Sequence, residues 1–283
     1  MSDTPVPPLA VVGGGNMAWA VLTGAAERGL IDLERCVVAE PDPGRRARFP
    51  RHVETSGALL PAVRELERAP GEAAVFLAVK PQKLDEVAGE LRPALLEDRS
   101  PRLVLSILAG VDSARVRGAL GGGVRVVRAM PNTPARIGLA MTAVCAGAGA
   151  DENDTAPARA LFDAIGRTVA VEESMFDAYT AVAGSGPAYL FYLAEAMRAA
   201  AAELGFEPAE AGRIVTQTLA GATGLLESSD ASPEALRREV TSPGGVTAAV
   251  TDTFDERHVA KAISDGIRAG RDRARALGRG GGR

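Results

Sequence analysis

Apolar and polar positions change their rhythm partway along this chain. Up to about Val171, short apolar runs alternate with longer amphipathic stretches. Leu9-Ala10-Val11-Val12 reads as a short buried strand, and Cys36–Ala39, Ala74–Val79, Leu103–Ile107 and Val124–Met130 are further strand-like runs. Helical stretches of suitable length separate them, which is the alternation of an α/β domain. Another apolar run, Ala140–Ala146, is followed by a helix from about Asn153 to Ile165 and a candidate last strand at Thr168–Val171. From about Phe176 the pattern is helical only. Ala188–Leu204, Pro208–Leu226 and Glu256–Leu277 are long enough for major helices, with a shorter one near Glu234–Glu239. The expected division is therefore a first domain over 1–170 and an all-α domain over 171–283.

The all-α half carries so much small apolar surface that part of it is expected to be covered by another subunit. Pro5, Pro7 and Pro8 form a leader, and Gly278 to Arg283 reads as a frayed tail. No positively charged and apolar segment opens the chain, so no secretory signal is expected. The uncharged run Ala178–Ala194 is interrupted by Gly184-Ser185-Gly186-Pro187 and falls short of the roughly 20 apolar residues of a membrane span. A soluble, cytoplasmic protein without a membrane partner is the expectation.

Composition adds little to this picture but narrows the partners. Of 283 residues, 46% are hydrophobic and only 4% aromatic, so the cores must be built from Ala, Val and Leu. A net charge of −4 offers no electrostatic footprint for nucleic acid. The two cysteines, Cys36 and Cys145, form no CxxC pair and sit in apolar runs, as buried free thiols of a reducing compartment do. The two histidines, His52 and His258, lack the spacing of metal ligands, and no metal site is expected.

Chemistry enters with Gly13-x-Gly15-x-x-Ala18, which follows a strand and opens a helix. Gly13 permits the tight turn, Gly15 lets a pyrophosphate approach the backbone, and Ala18 lets the helix pack near the strand. Asn16 and Met17 complete the helix entry. Glu40 ends the second strand about 20 residues further on, where an acid accepts from a ribose 2′-hydroxyl and repels a 2′-phosphate. This is the fingerprint of a Rossmann-type dinucleotide-binding domain. Arg45 and Arg46 follow closely and are alternative holders of a 2′-phosphate, so NADPH and NADH both remain candidates.

Ala78-Val79-Lys80-Pro81-Gln82 closes another strand, which would stand Lys80 beside the cofactor crevice; a surface lysine before a helix is its plain alternative. In Arg128-Ala129-Met130-Pro131-Asn132-Thr133-Pro134 two prolines restrict the loop and hold Asn132 for hydrogen bonding. Ala183-Gly184-Ser185-Gly186-Pro187 is not a nucleophile elbow, because position 183 is Ala and no histidine is placed to activate Ser185. Val240-Thr241-Ser242-Pro243-Gly244-Gly245-Val246-Thr247 gathers glycines and hydroxyls in a helical region. Such a loop lets backbone N–H groups and short hydroxyl donors converge on a small anion, although an ordinary helix-entry turn has the same composition.

Together these motifs resemble the pyrroline-5-carboxylate reductases, the last enzymes of proline biosynthesis. The likeness includes Gly13–Ala18, Ala78–Gln82, Ser106–Val111, Arg128–Ala135, Gly138–Ala143, Ala183–Tyr189 and Val240–Thr247, in the family's order. Arg271 and Arg273 before Leu277-Gly278 also look like the family's ending. The resemblance implies hydride transfer from NADPH or NADH to the imine carbon of L-1-pyrroline-5-carboxylate. It implies that Ser242, Gly244 and Gly245 bind the carboxylate and that Thr247 contacts the ring nitrogen and relays a proton. It also implies an all-α C-terminal dimerisation domain and a homo-oligomer, a dimer at least, with a pentamer of dimers as the larger candidate.

The chain departs from the family at three places: Ala183 replaces a common Ser, Arg198–Glu203 lacks an Asp-x-Gly-like sequence, and Glu40-Pro41-Asp42 replaces an Asn-Arg type of strand ending. Two other readings keep the fold. A related imine or hydroxyacid reductase is one, but the hydroxyacid branch needs a lysine on the helix after Gly186, which offers only Glu195 and Arg198. A non-catalytic nucleotide sensor is the other, and the intact Thr241–Gly245 loop argues against it.

Overall fold

A computed structural model describes residues 6–67, 72–97 and 101–280. Pro5 and the last three residues of the expected tail lie outside that range. The chain divides into two compact units, Met1–Gly184 with Gly270–Arg283, and Ser185–Ala269.

The first unit is built on an eight-stranded sheet: β1 (Leu9–Val12), β2 (Cys36–Ala39), β3 (His52–Val53), β4 (Ala74–Leu77), β5 (Arg102–Ser106), β6 (Val124–Met130), β7 (Ala140–Ala146) and β8 (Gly166–Ala170). Their order is β3-β2-β1-β4-β5-β6-β7-β8. All neighbours are parallel except β6 and β7, which are antiparallel. The connecting helices are α1 (Asn16–Glu27), α2 (Pro43–Arg46), α3 (Leu59–Arg64), α4 (Leu84–Leu96), α5 (Ser113–Ala119) and α6 (Thr155–Asp163), with α7 (Phe176–Tyr179) after β8.

The central strands are buried on both faces, which is why they read as continuous apolar runs without polar alternation. Their side chains nevertheless divide with a period of two. Leu9, Val11, Val38 and Phe76 meet Val21 and Leu22 of α1 and Leu161 and Phe162 of α6 in one core. Ala10, Val12, Val37, Val75 and Leu77 join Leu60 of α3, Leu91 of α4 and Val116 of α5 in the other. Burial of these faces is the main stabilising term, on the order of 1.5–3 kcal/mol for each fully buried large side chain. At the edge of the second core the fully buried Arg102 is ion-paired with Glu67 and donates to the Ala73 carbonyl at 2.8 Å.

The second unit is helical. α8 (Gly186–Glu203) packs on α9 (Pro208–Ser228), followed by α10 (Pro233–Glu239), α11 (Val246–Glu256) and α12 (Val259–Gly280), whose last turns belong with the first unit. The expected helix from Glu256 to Leu277 needs correction. α11 ends at Glu256, His258 adopts φ 55°, and α12 begins at Val259 and runs past Leu277. A positive φ on a non-glycine residue breaks the helical register, and composition gives no warning of it. No described helix is long and apolar enough to cross a membrane.

Candidate active site

The turn after β1 is shaped by glycine. Gly13 has φ +98°, and a Cβ there would lie 2.8 Å from the Ala78 carbonyl oxygen and 3.0 Å from Val79 Cγ1. Its N–H donates to the Ala39 carbonyl at 2.9 Å, while the Ala78 N–H donates to Val12 at 2.8 Å. Gly13 is thus wedged where β2 and β4 end. Gly15 is different: a Cβ there would meet nothing within 4 Å. It caps α1 without any side-chain hydrogen bond, and the first turn of α1 holds no acid. The helix dipole and free N–H groups therefore face open space, which fits a pyrophosphate. Asn16 is exposed and Met17 half-buried at that entrance, while Ala18 is buried against the sheet. Lys80 is exposed after β4, with Pro81 opening the turn Pro81–Lys83.

Glu40, at the end of β2, is only 4% exposed. Its Oε2 accepts from the Gly14 N–H at 2.9 Å; its Oε1 accepts from the Asp42 N–H at 3.0 Å and from Arg45 Nη2 at 2.9 Å. Arg46 Nη1 donates to the Glu40 and Pro41 carbonyls at 3.0 and 3.2 Å. Gly14 was not singled out from sequence. A Cβ there would lie 2.8 Å from the Phe49 ring and 3.1 Å from Glu40 Cβ. Its place between Gly13 and Gly15 was its one visible signal.

Asn132 holds backbone. Its Oδ1 accepts from the Met141 N–H at 3.0 Å and its Nδ2 donates to the Ala183 carbonyl at 2.9 Å. Tyr179 donates its hydroxyl to the Met141 carbonyl at 2.6 Å, so the loop after β6, the start of β7 and the π-helical turn Thr180–Gly184 are tied together. Burial pushes the Tyr179 phenol up to about 12. It pushes the Cys36 thiol to about 12 and, with Glu173 nearby, the Cys145 thiol to about 11. Both cysteines are free and buried, and neither is a thiolate nucleophile at neutral pH.

In the helical unit, Gly244 has φ +68° and Gly245 caps α11. The Gly245 N–H donates to the Ser242 carbonyl at 3.0 Å, and a Cβ on Gly245 would lie 2.7 Å from Ser242 Oγ. α11 also lacks a side-chain cap and any acid in its first turn. Ser242 is exposed and Thr247, the second residue of α11, is half-buried. The sequence-derived residues therefore form two groups, one around Gly13 in the first unit and one around Gly244 in the second.

Residues 173–277 match the family model described as pyrroline-5-carboxylate reductase dimerisation, and residues 8–110 match one described as NADP oxidoreductase, coenzyme F420-dependent. The chain is 34% identical to a pyrroline-5-carboxylate reductase from Synechocystis over 96% of its own length and 98% of the relative's. It is 36% identical to that of Haemophilus influenzae over 92% and 94%. A solved pyrroline-5-carboxylate reductase from Coxiella burnetii superposes with a TM-score of 0.84 at 29% identity, covering 96% of this chain and 98% of that one. The chain belongs to the pyrroline-5-carboxylate reductase family. As a pyrroline-5-carboxylate reductase it is an NAD(P)-dependent oxidoreductase with a Rossmann-type domain and a helical C-terminal dimerisation region. Two of its helices, α1 and α11, are entered through glycine with neither a side-chain cap nor an acid in the first turn.

Proposed function

We propose that Ser242, Gly244, Gly245 and Thr247 form the substrate site for the reduction of L-1-pyrroline-5-carboxylate to L-proline. The observation carrying this reading is the entrance to α11, a glycine-lined helix N-terminus with neither an acid nor a side-chain cap in competition for an anion. The amide of Gly244, the first-turn amides of α11 and the Ser242 hydroxyl receive the carboxylate, and Gly245, whose own N–H is turned to the Ser242 carbonyl, lines the entrance without a side chain. Thr247 stands one turn position inside the helix and contacts the ring nitrogen, handing on the proton that nitrogen gains. When bound, the nicotinamide supplies the hydride that adds to the imine carbon. Positioning donor and acceptor in line contributes most of the acceleration, since no strong acid is required.

The dinucleotide is held by Gly13, Gly15, Asn16, Met17 and Ala18 at the start of α1, by Glu40, and by Ala78, Val79, Lys80 and Pro81 after β4. Asn132 holds the loop after β6 in shape. The cofactor domain spans 1–170 and the substrate and oligomerisation domain 171–283. The assembly is a dimer at least, with five dimers forming the larger particle, in a cytoplasmic setting. The test is absorbance loss from NADH and NADPH with pyrroline-5-carboxylate. Turnover supports the assignment, whereas cofactor binding without turnover rejects the substrate.

A further inference from the structure

The family likeness admits both nicotinamide cofactors, while the end of β2 treats them unequally. We propose that Glu40 makes this chain select the dinucleotide whose adenosine ribose carries a free 2′-hydroxyl, NADH, against its 2′-phosphorylated counterpart. The inference rests on the reading of the Gly13 loop as the dinucleotide site.

Two observations carry it. The carboxylate of Glu40 is pinned over the glycine loop, because Gly14 donates to one oxygen while Asp42 and Arg45 donate to the other. It has no room to turn aside, being buried with the Phe49 ring and its own Cβ against Gly14. A residue free to rotate would let a phosphate in; this one would have to abandon the Gly14 amide. Each carboxylate oxygen carries two lone pairs, so Oε2 keeps one for a ribose hydroxyl after serving Gly14. A dianionic phosphate offers no proton in exchange and meets a carboxylate that can only accept.

The arginines that would favour the phosphate are engaged in shaping the same turn. Arg45 Nη2 is bound to Glu40 and its Nε lies 3.9 Å from Asp42 Oδ1, so its charge is matched by two carboxylates. Arg46 Nη1 is directed to the carbonyls of Glu40 and Pro41. Asp42 itself is held as the cap of α2, accepting from the Arg45 N–H at 2.7 Å. The two acids and two arginines between residues 40 and 46 cancel, and the next cation, Arg48, lies over the Trp19 ring at 4.4 Å.

The deciding measurement is calorimetric titration of the intact protein with ADP-ribose and with 2′-phospho-ADP-ribose, neither of which can react. The wild-type chain is expected to bind the unphosphorylated nucleotide at least about tenfold more tightly. Glu40→Gln, which keeps the shape and removes the charge, is expected to shrink that ratio about tenfold through tighter binding of the phosphorylated form. Equal or tighter wild-type binding of the 2′-phosphorylated nucleotide overturns the inference without need of any variant. An unchanged ratio in folded Glu40→Gln overturns the role of Glu40. Failure of both nucleotides to bind rejects instead the reading of the Gly13 loop on which the inference rests.

Discussion

α1 and α11 begin alike and live in different surroundings. Each is entered through glycine, lacks a side-chain cap and has no acid in its first turn. Yet α1 buries Ala18, Ala20, Val21, Leu22 and Ala25 against the sheet, whereas α11 buries no residue and leaves Val246 85% exposed. α8 is similar, with Phe191 64% and Tyr192 76% exposed in the single chain. The same local device thus rests on two supports. The first is positioned by the chain's own core. The second sits among helices whose apolar faces are unmatched within one chain, in the region that matches a dimerisation model. Large aromatic side chains left in water forfeit their burial energy, so covering these faces would stabilise that half.

The comparison can be tested most severely at Gly15. A Cβ there meets nothing within 4 Å, so Gly15→Val is expected to leave the protein folded while weakening NAD(P)H binding by about 100-fold or more. Retained affinity in a titration would remove the first anion site. Next in size, Thr247→Ala is expected to lower kcat about 100-fold with cofactor affinity intact. Unchanged steady-state kinetics would take Thr247 out of the proton path.

Gly245→Val drives a side chain into Ser242 Oγ, and KM for the substrate is expected to rise about tenfold or more at unaltered cofactor affinity. Phe191→Glu combined with Tyr192→Glu sharpens the contrast in support. Sedimentation should then shift toward the 29.2 kDa single chain, while the sheet unit still binds cofactor. A wild-type protein that already sediments as a monomer would end the argument from exposed aromatics.

A further effect, one of pH, comes from the buried thiols and phenol of the sheet unit. Cys36 and Tyr179 keep their protons up to about 12 when folded and lose them from about 9 and 10 when unfolded. Above those lower values the unfolded chain binds fewer protons than the folded one, so stability falls as pH rises. The slope approaches about 1.4 kcal/mol per pH unit for each such group. Urea denaturation at pH 8 and 10.5 should show the loss, and Cys36→Ala should reduce it but not abolish it, because Cys145 and Tyr179 remain.

Much of this was legible in the chain. The strands Leu9–Val12 and Cys36–Ala39 stand where their unbroken apolar runs lie, as doubly covered strands require, and Val124–Met130 and Ala140–Ala146 match mostly apolar runs that admit Arg125, Arg128 and Thr142. The strands at Ala74–Leu77, Arg102–Ser106 and Gly166–Ala170 differ from expectation only at their ends, where pairing partners decide the last residue. The two-residue β3 was not visible, because it exists through its pairing with Val38 and Ala39 and has no apolar pattern of its own. The break at His258 was hidden for a related reason, as a single backbone torsion leaves no periodic trace.

The candidate sites divide in the same way. Gly13 and Gly244 were readable because a positive φ is a local demand that glycine meets. The acid at position 40 was readable too, but not the direction of its carboxylate. That depends on Gly14, 26 positions away, and on an arginine that was equally plausible as a phosphate holder. Asn132 likewise was marked by its prolines, while its partners Met141 and Ala183 were not.

By itself the sequence determined the main strands and helices, their order along the chain, and the glycine turns that open α1 and α11, since periodicity and backbone freedom are properties of neighbouring residues. Tertiary structure decided the order of strands in the sheet, the reversal of β7 against β6, the pinning of Glu40 and the anchoring of Asn132. Each of these is a contact between residues far apart in the chain, and only the packing of the whole core selects among the partners that local chemistry allows.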